Sequence, residues 1–236
     1  MKITLIGYGK MGKTIEKIAL QRAHNIVEII DIGEESKFNS ETVLNTDIAI
    51  EFTNPQSAEN NIKKCLENGI SVVSGTTGWN FNNYEIEEIC VKNNCAFFYA
   101  SNFSIGMNIF FEINKKLAQL LSNHQDYTVQ IEETHHIHKL DKPSGTAITL
   151  ATAIIENSNR YQNSELDKYV DDTIPIKSFR VGEIVGEHNV IWDSEIDTIS
   201  IEHSAKSRDG FAIGAILAAE FLKNKIGVFS MQDLLF

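Results

Sequence analysis

The chain has 236 residues, yet it holds no Cys-x-x-Cys pair, no apolar run long enough to cross a bilayer and no excess of basic charge. Each absence excludes something. Three cysteines, Cys65, Cys90 and Cys95, are an odd number without redox or zinc spacing, so reduced thiols in a cytoplasmic setting are expected. Without a membrane-length apolar segment no membrane span is expected. The start, with Lys2 alone between Met1 and the apolar Ile3-Thr-Leu-Ile6, reads as a strand rather than a signal peptide. A formal charge of −11 disfavours nucleic acid and anionic lipid as partners. No repeat or low-complexity tract occurs, and Ser144 does not sit in a Gly-x-Ser-x-Gly elbow, so a serine hydrolase is a poor reading. What remains is 42% hydrophobic content, enough for one large domain or two small ones.

The first hundred or so residues alternate strand and helix patterns. Strands are expected at Ile3–Ile6, Ile26–Asp31, Asp47–Phe52, Ser71–Ser74 and Ala96–Ala100, with helices at Met11–Ala23, Ser57–Asn68 and Tyr84–Asn93. That alternation predicts a parallel sheet with right-handed crossovers. Ile105–Ser122 reads as a long amphipathic helix. Beyond it, strands are expected at Tyr127–Glu133, Ile174–Val181, Asn189–Trp192 and Thr198–His203, with a helix at Gly145–Glu156. The polar stretch Asn157–Lys168 reads as a loop or short helix, and Phe211–Leu222 as a closing helix rich in small residues. The fold class is therefore α/β: a parallel-sheet domain over the first hundred or so residues, then a second domain with a mainly antiparallel sheet.

Gly7-Tyr8-Gly9-Lys10-Met11-Gly12 follows the first strand and opens a helix, which is the context a dinucleotide-binding Gly-x-Gly-x-x-Gly requires. Asp31 ends the second strand, where a carboxylate can bind ribose hydroxyls. Ile32 follows it and offers a 2′-phosphate no donor, so NADH is the expected preference; Lys10 and Lys13 leave NADPH as an accepted alternative. Gly75-Thr76-Thr77-Gly78 and Ala100-Ser101-Asn102-Phe103 follow later strands and fit either turn chemistry or contact with the nicotinamide half.

The densest chemistry lies at His135-His136-Ile-His138-Lys139-Leu-Asp-Lys142-Pro-Ser144-Gly145-Thr146. Imidazole moves protons near neutral pH, lysine supplies a compact positive charge, and a Ser-Gly-Thr turn opening a helix offers N–H groups and hydroxyls to a carboxylate. Continued alternation of the preceding strand would put His136 and His138 on one face and His135 on the other. A metal pair is disfavoured by Lys139 and Lys142, and no metal is expected; His138 fits a structural role equally well, whereas Lys139, beside the cluster, fits an anion or acid role better than a merely solvated charge. The charged segments Arg180–His188 and Glu202–Arg208 fit carboxylate binding, but hairpin and inter-domain ion pairs are the simpler reading.

Taken in order, Gly7–Gly12, Gly75–Gly78, Ala100–Phe103, His135–Lys139 with Pro143–Thr146, Arg180 with Gly182, Gly186 and His188, and Ser207-Arg208 with Phe211-Ala212 resemble the 4-hydroxy-tetrahydrodipicolinate (dihydrodipicolinate) reductase family over nearly the whole chain. The chain departs from the family in a shorter first glycine loop and in reduced material between Asp31 and Thr46 and around residues 157–173. The resemblance implies that His135 is an acid/base residue and Lys139 a proton donor. It implies that His136, Gly145 and Thr146 hold substrate carboxylates, and Ser144 in the same turn is expected to bind substrate with them. The glycine loop, Asp31, Gly75–Thr77 and Ala100–Phe103 would hold the dinucleotide. It further implies a Rossmann-like nucleotide domain of 1–103 with 209–236, an α+β substrate and oligomerisation domain of 104–208 with a mixed sheet, a homotetramer, a small cyclic dicarboxylate substrate reduced at ring C4, and a place in diaminopimelate and lysine biosynthesis. An imine or amino-acid dehydrogenase on the same fold, and a non-catalytic NAD-binding sensor, are the alternatives; an intact His135/Lys139 pair argues against the sensor.

Overall fold

The computed structural model describes residues 1–236, which divide into two compact units, 1–105 with 209–236 and 106–208. In the first unit the chain runs β1 (Lys2–Ile6), α1 (Lys10–Gln21), β2 (Asn25–Ile30), a 3₁₀ turn (Glu35–Asn39), α2 (Glu41–Leu44), β3 (Ile48–Glu51), α3 (Pro55–Glu67), β4 (Ser71–Ser74), α4 (Asn83–Asn93) and β5 (Ala96–Tyr99). α5 (Ile105–Leu121) opens the second unit, followed by β6 (Thr128–His135), α6 (Gly145–Glu156), β7 (Asn163–Leu166), β8 (Thr173–Arg180), β9 (Gly186–Asp193) and β10 (Thr198–Ala205). α7 (Asp209–Phe221), β11 (Gly227–Phe229) and α8 (Met231–Leu235) return to the first unit.

The first unit is a six-stranded sheet in the order β11-β5-β4-β3-β1-β2, parallel throughout. Its inner strands are buried on both faces, which is why Ile48-Ala-Ile-Glu51 reads as a continuous run rather than an alternation. Successive strand residues feed opposite cores. Leu5, Ile50 and Phe98 pack with α1, α7 and α8, whereas Ile6, Ala49 and Phe97 pack with α3 and α4. α7 lies close against the loop after β5, because Gly214 meets the Phe103 carbonyl, where any added Cβ would fall 1.8 Å from the oxygen. Arg22 and His24 both bind Glu220 at 2.8 Å and tie the end of α1 to α7.

The second unit is a mixed sheet, β10-β9-β6-β8-β7, with β6–β8 and β7–β8 parallel and the other pairs antiparallel. Val129 and Ile131 of β6, Ile174 and Ile176 of β8, and Val190 and Trp192 of β9 point to one side and pack against α5 and α6. β6 and β9 alternate buried and half-buried residues along their lengths, as a one-sided core requires.

Three expectations need correction. Residues 157–168 contain the strand β7, whose sequence Asn-Ser-Glu-Leu has no strand pattern of its own; β8 supplies the hydrogen-bonding edge that makes it one. β11 and α8 were not anticipated, because three and five residues carry too little periodicity to read. The alternation of β6 stops at His135. There the His135 carbonyl accepts from Val181 N at 2.8 Å, and the chain turns through Lys139 N to His136 O at 3.1 Å. His136 and His138 therefore sit on a turn, with their rings 6.1 Å apart, rather than on a shared strand face.

Candidate active site

The glycine loop between β1 and α1 is shaped by contacts that only glycine permits. Gly7 has φ of +90°, and a Cβ there would fall 2.2 Å from the Phe52 carbonyl oxygen; a Cβ on Gly12 would fall 2.3 Å from the Gly7 oxygen. Gly9 is different: nothing lies within 4 Å of its would-be Cβ. It is the N-cap of α1, and no side chain caps that helix start. The first N–H groups of α1 are thus offered at an open, positive helix end, which suits a pyrophosphate. The loop borders a cleft of about 510 Å³ lined by Gly7, Gly9, Asp31, Ile32, Glu35 and Asn54 among others, with no lysine or arginine in its wall. Ile32 is 90% exposed. Lys37 is turned to acids, 2.9 Å from Glu34 and 3.3 Å from Glu28. Lys13 lies over the Tyr8 ring at 5.6 Å.

Buried Glu51 ties the neighbouring loops together. Its carboxylate accepts from Ser74 Oγ (2.6 Å), Thr76 Oγ1 (2.8 Å), Thr53 N (3.0 Å) and Thr53 Oγ1. The Thr76 side chain is thereby spent inside the fold; Thr77 and Gly78 are exposed, and Gly75 is half-buried against the Phe52 ring. In the next loop Ala100 and Phe103 are core residues, Phe103 packing on Phe52 and Phe98, so that Ser101 and Asn102 form its accessible part. Sequence spacing located these loops and could not tell inward from outward side chains within them.

In the second unit, β6 places Glu133 and His135 on the same face, both buried. His135 Nδ1 faces Glu133 Oε2 in direct contact. The other carboxylate oxygen accepts from Arg180 Nη1 (3.1 Å), Ser144 N (3.3 Å) and Ser178 Oγ. Burial alone would raise the Glu133 carboxyl, but the bonds from His135, Ser178 and Arg180 outweigh it and bring the pKa down to about 2. His188 packs edge-on against His135 at 5.1 Å, and burial, with His135 adding to it, lowers its pKa to about 3. Arg180 also donates to the backbone oxygens of Lys139 (3.3 Å) and Asp141 (2.5 Å), so the guanidinium that binds Glu133 also holds the lysine turn. Lys139 Nζ lies 2.8 Å from Asp141 and is partly exposed.

The Lys142–Pro143 peptide bond is cis and leads into α6. Ser144 is buried: its Oγ accepts from Ala147 N at 3.2 Å as the helix cap and lies 3.4 Å from His188 Nε2. The Ser144 hydroxyl is thus structural in place, whereas Gly145, exposed and with open space at its Cβ, and half-buried Thr146 line the helix start. Arg180 makes a structural ion pair, as the reading of its segment expects, but with Glu133 of the neighbouring parallel strand in its own unit rather than in a hairpin or between domains. Glu133 was not singled out from the sequence; its position two before His135 on a strand was the available signal.

Glu133, His135 and His188 bring ligand-type atoms within 4.8 Å of one another, a spacing a metal ion could use. Arg180 on the same carboxylate, and the direct Glu133–His135 contact, favour proton chemistry over a cation there. A separate cleft of about 590 Å³ beside Arg160 and Tyr169 shares no residue with this cluster. Its arginine is already committed to the carbonyls of Gln125 (3.0 Å) and Tyr127 (3.3 Å).

Two family models cover almost the entire chain: "Dihydrodipicolinate reductase, N-terminus" over residues 1–103 and "Dihydrodipicolinate reductase, C-terminus" over 106–235. A 4-hydroxy-tetrahydrodipicolinate reductase of Christiangramia forsetii is 49% identical over 235 residues, covering 100% of this chain and 98% of its own. One from Methanococcus aeolicus is 36% identical, covering 85% of this chain and 78% of its own. Among solved structures, a dipicolinate-bound dihydrodipicolinate reductase from Paenisporosarcina sp. TG-14 shares the fold with a TM-score of 0.76 at 22% identity, covering 99% of both chains. The chain belongs to the dihydrodipicolinate reductase family and is, with it, a pyridine-nucleotide-dependent oxidoreductase.

Proposed function

We propose that the protein reduces 4-hydroxy-tetrahydrodipicolinate, by way of its conjugated cyclic imine, to tetrahydrodipicolinate. The observation that carries this reading is buried His135, held at Nδ1 by Glu133 and joined through Arg180 to the Lys139 turn. Such a cluster suits proton delivery to a bound anion. Reduced nicotinamide, when bound, supplies the hydride that ring C4 accepts. The electron pair displaced through the conjugated system reaches the ring nitrogen. His135 and Lys139 deliver the proton that the nitrogen then needs and support its charge beforehand. His136, Gly145 and Thr146 orient the two carboxylates, with Ser144 holding the turn that presents them.

In the first unit Gly7 to Gly12, with Tyr8, Lys10 and Met11 between them, receive the pyrophosphate. Asp31 takes the adenosine ribose, and the Gly75–Thr77 and Ala100–Phe103 loops take the nicotinamide half. NADH is the preferred donor and NADPH a usable one, because the cleft beside Asp31 has no cationic wall residue. Free, buried thiols at Cys65, Cys90 and Cys95 support a cytoplasmic location, and no helix is long and apolar enough to cross a membrane. A homotetramer built through the second unit's sheet completes the reading, which places the enzyme in diaminopimelate and lysine biosynthesis.

The test is loss of NADH absorbance when the product of dihydrodipicolinate synthase is supplied. Consumption that depends on that product, and inhibition by pyridine-2,6-dicarboxylate, are expected. Consumption with other imino or amino acids in its place would favour the same-fold dehydrogenase, and no consumption with tight NADH binding would favour a sensor.

A further inference from the structure

We propose that Glu133 is a positioning residue that sets the tautomer of His135, so that Nε2 is the ring atom that passes the proton. The inference rests on His135 being the proton donor described above. Glu133 and His135 are neighbours on one face of β6, and each is nine-tenths buried or more. Three donors, from β8 and the start of α6, converge on Glu133 Oε1: Ser178 Oγ, Arg180 Nη1 and Ser144 N. That oxygen must therefore be an acceptor. Oε2 is left to face His135 Nδ1 and has no other partner. A carboxyl held down to about 2 carries no proton at neutral pH, so Oε2 also accepts. The hydrogen between the two groups belongs to Nδ1.

The remaining nitrogen, Nε2, lies on the far side of the ring next to Gly186, whose would-be Cβ falls 3.1 Å from it. When the imidazolium gives up its Nε2 proton, the N–H bonding pair stays on the ring. The neutral Nδ1–H form then rests against Glu133 without any rearrangement. While the ring is charged, the carboxylate balances it in a place where water does not reach.

The substitution Glu133→Gln keeps the shape and reverses this logic. The three donors at Oε1 require the amide oxygen there, so the NH₂ group turns toward Nδ1 and needs an acceptor. Nδ1 must then lose its hydrogen. His135 is held as the Nε2–H tautomer and has no acceptor for the second N–H of an imidazolium.

The experiment is ¹⁵N NMR of the imidazoles in the full-length, NADH-bound protein, with the His135 signals identified by their loss in His135→Gln. Wild type should show protonated Nδ1 and bare Nε2 in the neutral ring, and Glu133→Gln the reverse. Turnover of the variant should fall about 10²–10⁴-fold, the usual contribution of an acid–base group, with NADH affinity kept. Hydrogen on Nε2 in wild type, an unchanged tautomer in the variant, or wild-type turnover in the variant would each overturn the proposal. If Glu133→Gln does not fold, the wild-type spectrum alone decides. If wild type consumes no NADH with the proposed substrate, the reading of the reaction falls, while the spectra still report whether Glu133 sets the ring.

Discussion

His135 and Lys139 are separable by mutation because one is buried against a carboxylate and the other is partly open to solvent. His135→Gln and Lys139→Ala are each expected to lower kcat about 10²–10⁴-fold while leaving the NADH dissociation constant close to wild type. Steady-state kinetics paired with fluorescence titration of NADH checks both, and near-normal kcat in either variant removes that residue from the proton path. Gly186 offers a subtler change at the same ring. Its backbone conformation suits any residue, but an added methyl would press within 3.1 Å of Nε2. Gly186→Ala should therefore fold with unchanged melting behaviour and still lose turnover, because the ring must shift by a few tenths of an ångström.

In the proposed function the first turn of a helix is a ligand site in each unit, and the two turns are built differently. α1 begins with no side-chain cap and open space at Gly9, whereas α6 begins with its cap supplied by Ser144 and leaves Gly145 and Thr146 outward. Thr146→Val removes a hydroxyl at constant shape. It should raise KM for the dicarboxylate by an amount matching about 1.5–3 kcal/mol, the worth of a hydrogen bond to a charged group. An unchanged KM would make Thr146 a purely structural residue. At the end of β2, Asp31→Ala with Ile32→Arg should move the ratio of kcat/KM values from NADH toward NADPH, because it removes a repulsive carboxylate and supplies a donor. A wild type that already prefers NADPH would show that Lys10 or Lys13 reaches the 2′-phosphate, since Lys37 is held by Glu28 and Glu34.

Stability of the whole chain should fall early on acidification, and the second unit is the reason. His188 has its pKa lowered from 6.5 to about 3, so the folded state refuses a proton that the unfolded chain accepts. Its contribution is complete above pH 6.5 and is lost progressively as pH drops toward 3. By pH 5 this amounts to about 2 kcal/mol, at about 1.4 kcal/mol per pKa unit. Glu133, lowered from 4.5 to about 2, adds a second loss that begins only below 4.5. Urea midpoints measured between pH 7.5 and 5 should decline in wild type and less steeply in His188→Gln, where His203 and His136, also lowered by desolvation, still contribute; equal slopes in the two would refute the assignment. Assembly is open to a separate check. Within its unit no helix covers the sheet face that carries Phe179, which is 45% exposed. Light scattering should give about four times the 26.5 kDa chain mass, and Phe179→Glu should give a smaller species.

Local patterns were enough for much of this protein. β1, α1 and the glycines between them could be read because strand, turn and helix each follow from a few consecutive residues, and a positive φ at Gly7 leaves little choice of side chain. The same holds for α6, whose bounds Gly145–Glu156 follow from a Ser cap and an apolar run. The histidine–lysine segment stood out by composition alone. What local pattern could not decide was which way side chains turn once elements meet. β7 exists because β8 offers it an edge, and Thr76 and Phe103 point inward because Glu51 and the aromatic core claim them. The Glu133–His135–Arg180 cluster needed tertiary structure for the same reason: Glu133 and Arg180 are 47 positions apart, and only the parallel pairing of β6 with β8 brings the guanidinium to the carboxylate. Short-range sterics and hydrogen bonding are written in consecutive residues, whereas burial and charge pairing depend on neighbours that the fold supplies.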